Sequence, residues 1–340
     1  MNHNIDQKVL VTGGSGFIGS TLIEELTRAG LQVRALLRGT SSTENLKGLS
    51  FERVQGSLSD FESLKRAVEG VDYVFHLAGA ISAPERATYF EINAEGTRRL
   101  AQAVAEVRPG LKRFVHVSSL AAGGPVKTLR ARVEMDTDEP VSTYGESKLK
   151  SEGELLQYKD QFPVTIVRPP MVYGPKDKAT FVFVRTVGRN LLPLFRGKGK
   201  DGQKYYSAIH SEDLCRGIFL ASQVSPDVVP SGEIFYLSGD DWVSYENLMF
   251  TIARHLGKKP FRFSVPMAAL TVGALGLSAL GRVTKRTFPL NLDKLNEIRP
   301  DYWVCSNEKA KRVLGFAPRF DISSGLLDSV QWYRRAGWIV

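Results

Sequence analysis

The stretch Lys8-Val9-Leu10-Val11-Thr12-Gly13-Gly14-Ser15-Gly16-Phe17-Ile18-Gly19 constrains the fold more than any other. A short apolar run rich in β-branched residues meets a glycine cluster. An amphipathic segment, Ser20 to Ala29, follows and stops at Gly30. This reads as strand, tight turn and helix. Glycines at 13, 16 and 19 let the backbone turn sharply, approach a ligand without an intervening Cβ, and pack the helix against the strand. A helix N-terminus aimed into such a turn offers free N–H groups and partial positive charge to a pyrophosphate. The G-x-x-G-x-x-G spacing alone leaves two readings open, a dinucleotide site and a purely structural turn.

Strand and helix signals alternate through the first half, as in an α/β, doubly wound parallel sheet. Leu31 to Arg38 is the second strand. Dinucleotide folds that prefer NAD end this strand in a carboxylate that holds the ribose 2′-hydroxyl. Here Leu37 and Arg38 stand there, with Thr40, Ser41 and Ser42 beyond. A guanidinium beside hydroxyls suits a 2′-phosphate, which favours NADP, with NAD possible. Phe51 to Gln55 is a third strand leading to Gly56-Ser57-Leu58, and Ser59 with Glu62 has the capping-box spacing for a helix through Val68. The fourth strand, Val71 to Ala78, runs into Gly79-Ala80; its His76, apolar on both sides, reads as a core histidine. Glu91 to Val107 has helical period, and Arg113 to Val117 is a fifth strand ending at Ser118 and Ser119. Thr143-x-x-Glu146 then reads as a cap for a helix to about Gln157.

Composition narrows the classes. A chain of 340 residues with 43% apolar content buries a full core. Cys215 and Cys305, 90 residues apart, make neither a disulfide framework nor a zinc site, and point to a reducing, cytoplasmic setting. No metal-ligand spacing is seen, and the polar first seven residues carry no signal-peptide pattern. The net charge of +9 is scattered, which fits an anionic cofactor or substrate and not nucleic acid.

Tyr144 and Lys148 stand four apart, so on a helix they share a face with Cβ atoms about 5–6 Å apart. An ammonium that close is expected to favour the phenolate and lower the tyrosine pKa. Such a tyrosine exchanges a proton with a carbonyl or alcohol oxygen, and a strand-end serine such as Ser119 can hold that oxygen in line.

Thr12-Gly13-x-x-Gly16-x-x-Gly19, His76-Leu77-Ala78-Gly79, Asn93-x-x-Gly96-Thr97, Ser119, Tyr144-x-x-x-Lys148 and Arg168-Pro169-x-x-Val172-Tyr173-Gly174-Pro175 occur in this order. Together they resemble the extended short-chain dehydrogenase/reductase family, and the likeness continues through Ile209-His210-Ser211-Glu212-Asp213-Leu214. The resemblance implies a Rossmann-type sheet with a smaller C-terminal substrate lobe. Residues 1–170 would form the dinucleotide core, with 205–240 returning to it, while 171–204 and 241–340 form the lobe. It makes Ser119, Tyr144 and Lys148 the catalytic triad, with Asn93 a structural active-site residue and a helix-surface position the other reading. It assigns coenzyme contact to Gly13, Ser15, Gly16, Phe17, Ile18, Gly19, Arg38, Ser57, Leu58, Leu77, Ala78, Gly79, Tyr144, Lys148, Pro169 and Val172. Ser57-Leu58 stand where the family usually has Asp-Leu against the adenine. Arg168-Pro169-Pro170 reads either as a turn beside the nicotinamide or as a rigid crossover. A homodimer is implied.

Leu120-Ala121 after Ser119 cannot move protons, unlike the Asp-Glu of the family's sugar-nucleotide dehydratases. Tyr206 stands where nucleotide-sugar binders carry arginine, though Lys204 and Lys198 are nearby. Ser264 to Gly281 spans 18 uncharged positions, followed by Arg282, Lys285 and Arg286. The segment is expected to be a buried helix of the lobe, with an apolar lid or an interfacial membrane contact as the other readings. The reaction expected is hydride transfer between NADP(H) and a secondary alcohol or ketone of a hydrophobic small molecule, as in the hydroxysteroid dehydrogenase and dihydroflavonol reductase branches. The alternatives are a nucleotide-sugar 4-epimerase with tightly held NAD and a non-catalytic dinucleotide-binding regulator.

Overall fold

The computed structural model describes residues 7–199, 201–284, 288 and 290–339. The first strand, β1 (Lys8–Thr12), lies in the middle of a seven-stranded parallel sheet with β2 (Gln32–Leu37), β3 (Glu52–Gln55), β4 (Tyr73–His76), β5 (Arg113–Val117) and β6 (Val164–Arg168). β7 (Met171–Tyr173), β8 (Leu191–Leu194) and β9 (Tyr205–His210) leave this sheet, and β10 (Glu233–Tyr236) completes it. The spatial order is β3-β2-β1-β4-β5-β6-β10. It reverses between β1 and β4, where open α/β sheets bind ligands beyond their strand C-termini.

The central strands are apolar on both faces because helices cover both. Val9 and Val11 of β1 pack with α1 (Phe17–Arg28), whereas Leu10 packs with α2 (Phe61–Val68), the two sides of one pleat. α3 (Arg86–Phe90) leads through a π turn, Glu91–Glu95, into α4 (Gly96–Val107), which also covers the second face. α5 (Leu120–Gly123) is a single turn after β5, and α6 (Thr143–Leu156) packs beside α4.

The lobe begins with α7 (Lys178–Gly188). After β9, α8 (Ser211–Gln223) returns to the first face of the main sheet, supplying Leu214 and Ile218 beside Leu22 and Ile23 of α1. β9 itself does not rejoin the main sheet, contrary to the reading of 205–240 as returning. It pairs with β7, β11 (Trp242–Ser244) and β13 (Tyr302–Trp303), because its chain has already crossed past β6. β12 (Phe261–Ser264) pairs with β8, and α9 (Tyr245–Leu256) packs on α7. α10 (Met267–Thr284), α11 (Leu292–Ile298), α12 (Glu308–Leu314) and α13 (Ile322–Arg335) follow.

Local signals were displaced in several places. α1 starts at Phe17 and not at Ser20, so Gly19 lies inside the helix. α2 is capped by Asp60, which accepts from Ser63 N at 3.1 Å, whereas Ser59 pairs its hydroxyl with Ser57 at 2.9 Å. α6 is capped by Ser142, which accepts from Gly145 N at 3.0 Å, and Thr143 is its first helical residue. In both helices adjacent side chains compete for the same amides, and the neighbouring residue wins. The expectation of a buried helix over 264–281 is overturned: Val272 is 71% and Leu275 51% exposed, and the buried contact is made by Ala274.

The capping geometry predicts that Asp60→Ala costs about 1 kcal/mol of stability and Ser59→Ala much less. Urea denaturation of both variants checks this; equal losses would overturn it.

Candidate active site

Two glycines shape the crevice at the end of β1. Gly13 has φ +73°, and a Cβ there would lie 2.7 Å from Ala78 N. A Cβ on Gly19 would lie 2.2 Å from Gly13 O, so α1 meets the turn only without one. Gly16 N closes the turn on Gly13 O at 3.0 Å, and no side chain caps α1. First-turn amides and helix dipole are therefore left to an anionic group, as a coenzyme pyrophosphate requires. Ser15 carries its carbonyl against Asn45 Nδ2 at 3.3 Å, while Ile18, Leu77 and Val172 pack on the apolar layer below.

Beyond the C-terminal ends of β2 and β3 lies a cavity of about 460 Å³ lined by Arg38, Gly39, Gln55, Gly56, Ser57, Asp60 and Arg66. Among the described residues neither Arg38 nor Arg66 is in an ion pair, and the one carboxylate lining the cavity, Asp60, caps α2. Sequence reading missed Arg66, which looks like the solvated face of α2 until β3 and α2 fold together. Leu58 keeps its packing place, against Gly96 of α4.

β5 and α6 build the other end. Ser119 lies against Tyr144, and its Oγ accepts from Ala121 N at 3.1 Å. Leu120 N donates to Pro169 O at 2.8 Å, which seats that crossover beside Ser119. Lys148 lies one turn below Tyr144, buried, with Nζ donating to Val117 O at 2.8 Å. The structure thus brings Ser119, Tyr144 and Lys148 to the C-terminal end of β5.

Their electrostatics differ from the expectation. Tyr144 keeps part of its surface open, yet burial pushes its phenol up to about 12; Ser119 opposes this, and Glu297 and Tyr89 add to it. Burial pulls Lys148 down to about 8, against the pull of Glu152. The ammonium does not acidify the tyrosine, because it is held by the Val117 carbonyl and desolvation outweighs its field. At neutral pH the pair is a protonated phenol above a charged amine.

Asn93 is no surface residue. The π turn buries it, where Oδ1 accepts from Ala80 N at 2.7 Å and Nδ2 donates to Ala80 O and Ser147 Oγ at 3.0 and 2.8 Å. It clamps the loop after β4 to α6. His76 is a core histidine, and its surroundings fix the tautomer. Ala78 N donates to Thr12 Oγ1, Thr12 meets Nδ1 at 2.7 Å, Nε2 meets Thr97 Oγ1 at 2.9 Å, and Thr97 donates to Asn93 O. Only an Nε2–H imidazole completes this order.

Arg168 turns inward. It makes bidentate pairs with Glu152, at 2.9 and 2.5 Å, and Asp138, at 2.7 and 2.8 Å. Ser118 donates to the same Glu152 carboxylate, and Arg168 and Arg132 both donate to Tyr236. From the lobe, Asp293 of α11 accepts from Thr143 N at 2.5 Å and Tyr144 N at 3.3 Å, and Glu297 accepts from Ser142 at 2.9 Å. These carboxylates, about 150 residues away in sequence, complement the positive end of α6; no local signal marked them.

Residues 9–237 match the model of the NAD dependent epimerase/dehydratase family. A Stigmatella aurantiaca 4-hydroxy-2-methyl-3-oxo-4-farnesyl-3,4-dihydroquinoline-1-oxide ketoreductase is 28% identical, over 94% of each chain. A Caulobacter vibrioides ceramide reductase is 29% identical, over 97% of this chain and 96% of its own. A Bacillus cereus UDP-glucuronic acid 4-epimerase, solved with UDP-glucuronic acid and NAD, superposes with TM-score 0.78 at 21% identity, over 97% of this chain and all of its own.

Two outcomes follow from the buried charges. Arg168→Met strands Glu152 and Asp138, and a loss of about 3–5 kcal/mol is expected in urea denaturation; an unchanged midpoint would overturn the network's role. The Lys148 pKa lies below the ordinary value, so charge is lost as pH rises through about 8. Coenzyme kcat/KM, which reports the free enzyme, should fall there and stay flat in Lys148→Arg; a flat wild-type profile would count against this.

Proposed function

The chain belongs to the NAD dependent epimerase/dehydratase family as an extended short-chain dehydrogenase/reductase, and we propose that it reduces the ketone of a lipid-like small molecule with NADPH. It is an NAD(P)-dependent oxidoreductase. The observation that carries the ketone reading is Ser119 lying against Tyr144 at the end of β5, with charged Lys148 one turn below. A nicotinamide coenzyme in the glycine crevice supplies hydride for the carbonyl carbon. Tyr144, protonated at neutral pH, gives its proton to the carbonyl oxygen. Ser119 donates a second hydrogen bond to that oxygen, and solvent returns a proton to the phenolate left behind.

Several observations support an apolar substrate. Leu120 and Ala121 pack beside Tyr144, Tyr206 and Trp303, an apolar group where nucleotide-sugar binders place arginine. Lys204 is unavailable to a pyrophosphate, being held by Asp301 and the carbonyls of Arg299 and Pro300 at 2.9, 2.9 and 3.0 Å. Two relatives are reductases of a farnesyl-bearing ring and of ceramide. Arg38 and Arg66 around one cavity support a 2′-phosphate, hence NADPH.

Tyr144→Phe is expected to cut ketone turnover by about two orders of magnitude or more while the NADPH Kd holds. A panel of long-chain ketones read at the NADPH absorbance band tests this, and near-normal turnover would refute it. Arg38→Ala and Arg66→Ala should each weaken NADPH by about tenfold and leave NADH binding unchanged. Equal losses for both coenzymes would remove the 2′-phosphate assignment.

A further inference from the structure

α10 shows water a face that water does not favour. Ala268, Ala269, Val272, Leu275 and Gly276 recur at helical spacing and are all exposed, whereas Ala274 on the opposite side is buried. An ordinary surface helix places charged or polar residues on its outer face; among the described side chains this face carries none. The preceding strand extends the patch, with Phe261 70% and Phe263 38% exposed and their rings stacked at 6.2 Å.

The sequence that carries this patch has charge of one sign. From Asn247 to Leu292 the chain holds seven basic residues, Arg254, Lys258, Lys259, Arg262, Arg282, Lys285 and Arg286, and no acidic one. A second copy docked face to face by two-fold symmetry would bring two such segments together, like charge on like. An anionic partner is complementary.

We infer that α10 and β12 seat the protein on the headgroup layer of an anionic bilayer. Exposed aliphatic and aromatic residues with cations on both flanks are the chemistry of interfacial attachment. Among the described residues no helix is long and apolar enough to cross a membrane, so the contact lies along the surface. The patch adjoins the chemistry. Ser278 of α10 accepts from Leu292 N at 3.0 Å, and α11 caps the helix that carries Tyr144 through Asp293. A lipid-like ketone reaching the patch from the bilayer is thus beside the site, so the purpose of docking rests on the proposed substrate class although its test does not.

Flotation with vesicles of phosphatidylcholine plus phosphatidylglycerol, without coenzyme or ketone, should carry about tenfold more protein than phosphatidylcholine vesicles, less so at high salt. The double variant Val272→Asp, Leu275→Asp should lose flotation while keeping its Tm and NADPH Kd. Three results would overturn the inference: no flotation with anionic vesicles, equal flotation of the variant, or a dimer in sedimentation that the variant dissociates. Because no ketone is present, failure here leaves the reductase reading standing, and an inactive enzyme that still floats leaves docking standing.

Discussion

The Arg168 guanidinium fixes where the site-bearing helix lies. Glu152 comes from α6, Asp138 from the loop before it, and Arg168 from the end of β6, so one cation holds three segments in register. Neither the Arg168 nor the Glu152 charge is tolerable alone so far from water, because each would keep its full desolvation cost. Glu152 is also one turn beyond Lys148 and favours that amine's charge. The same carboxylate therefore orients the helix and biases the proton inventory above it.

That inventory is suited to one direction of reaction. A phenol lifted to about 12 holds its proton at neutral pH, which suits the proposed delivery of that proton to a ketone oxygen. Had the amine acidified the phenol, the resting site would instead be arranged to take protons from alcohols. Burial decides between these cases, with Glu297 and Tyr89 adding to it and Ser119 opposing it.

What could be read from the chain alone was what adjacent residues determine. β1, its glycine turn and the parallel strands were legible because apolar runs and glycine spacing act within one unit of structure. The triad residues and Arg38 were placed by motif order. Ser59 and Thr143 missed as caps by one residue, since Asp60 and Ser142 compete for the same amides. Arg66, Asp293 and Glu297 were invisible because their partners are supplied by tertiary folding. The Tyr144 shift runs opposite to the expectation because spacing measures distance and not desolvation. α10 was misjudged for a related reason: an uncharged run is equally compatible with a protein core and with a surface made for something other than water.

The hydrogen-bonded series from Ala78 through Thr12, His76 and Thr97 to Asn93 has a consequence for acid resistance. Its order requires an uncharged imidazole, and burial lowers His76 to about 3, with stacked His116 lowered as well. In the unfolded chain these rings take up protons below about 6.5. Between that value and the folded one, the unfolded state binds protons the native sheet refuses, so acidification favours unfolding throughout the interval. The middle of the sheet thus acts as an acid fuse, indifferent to alkali and to salt.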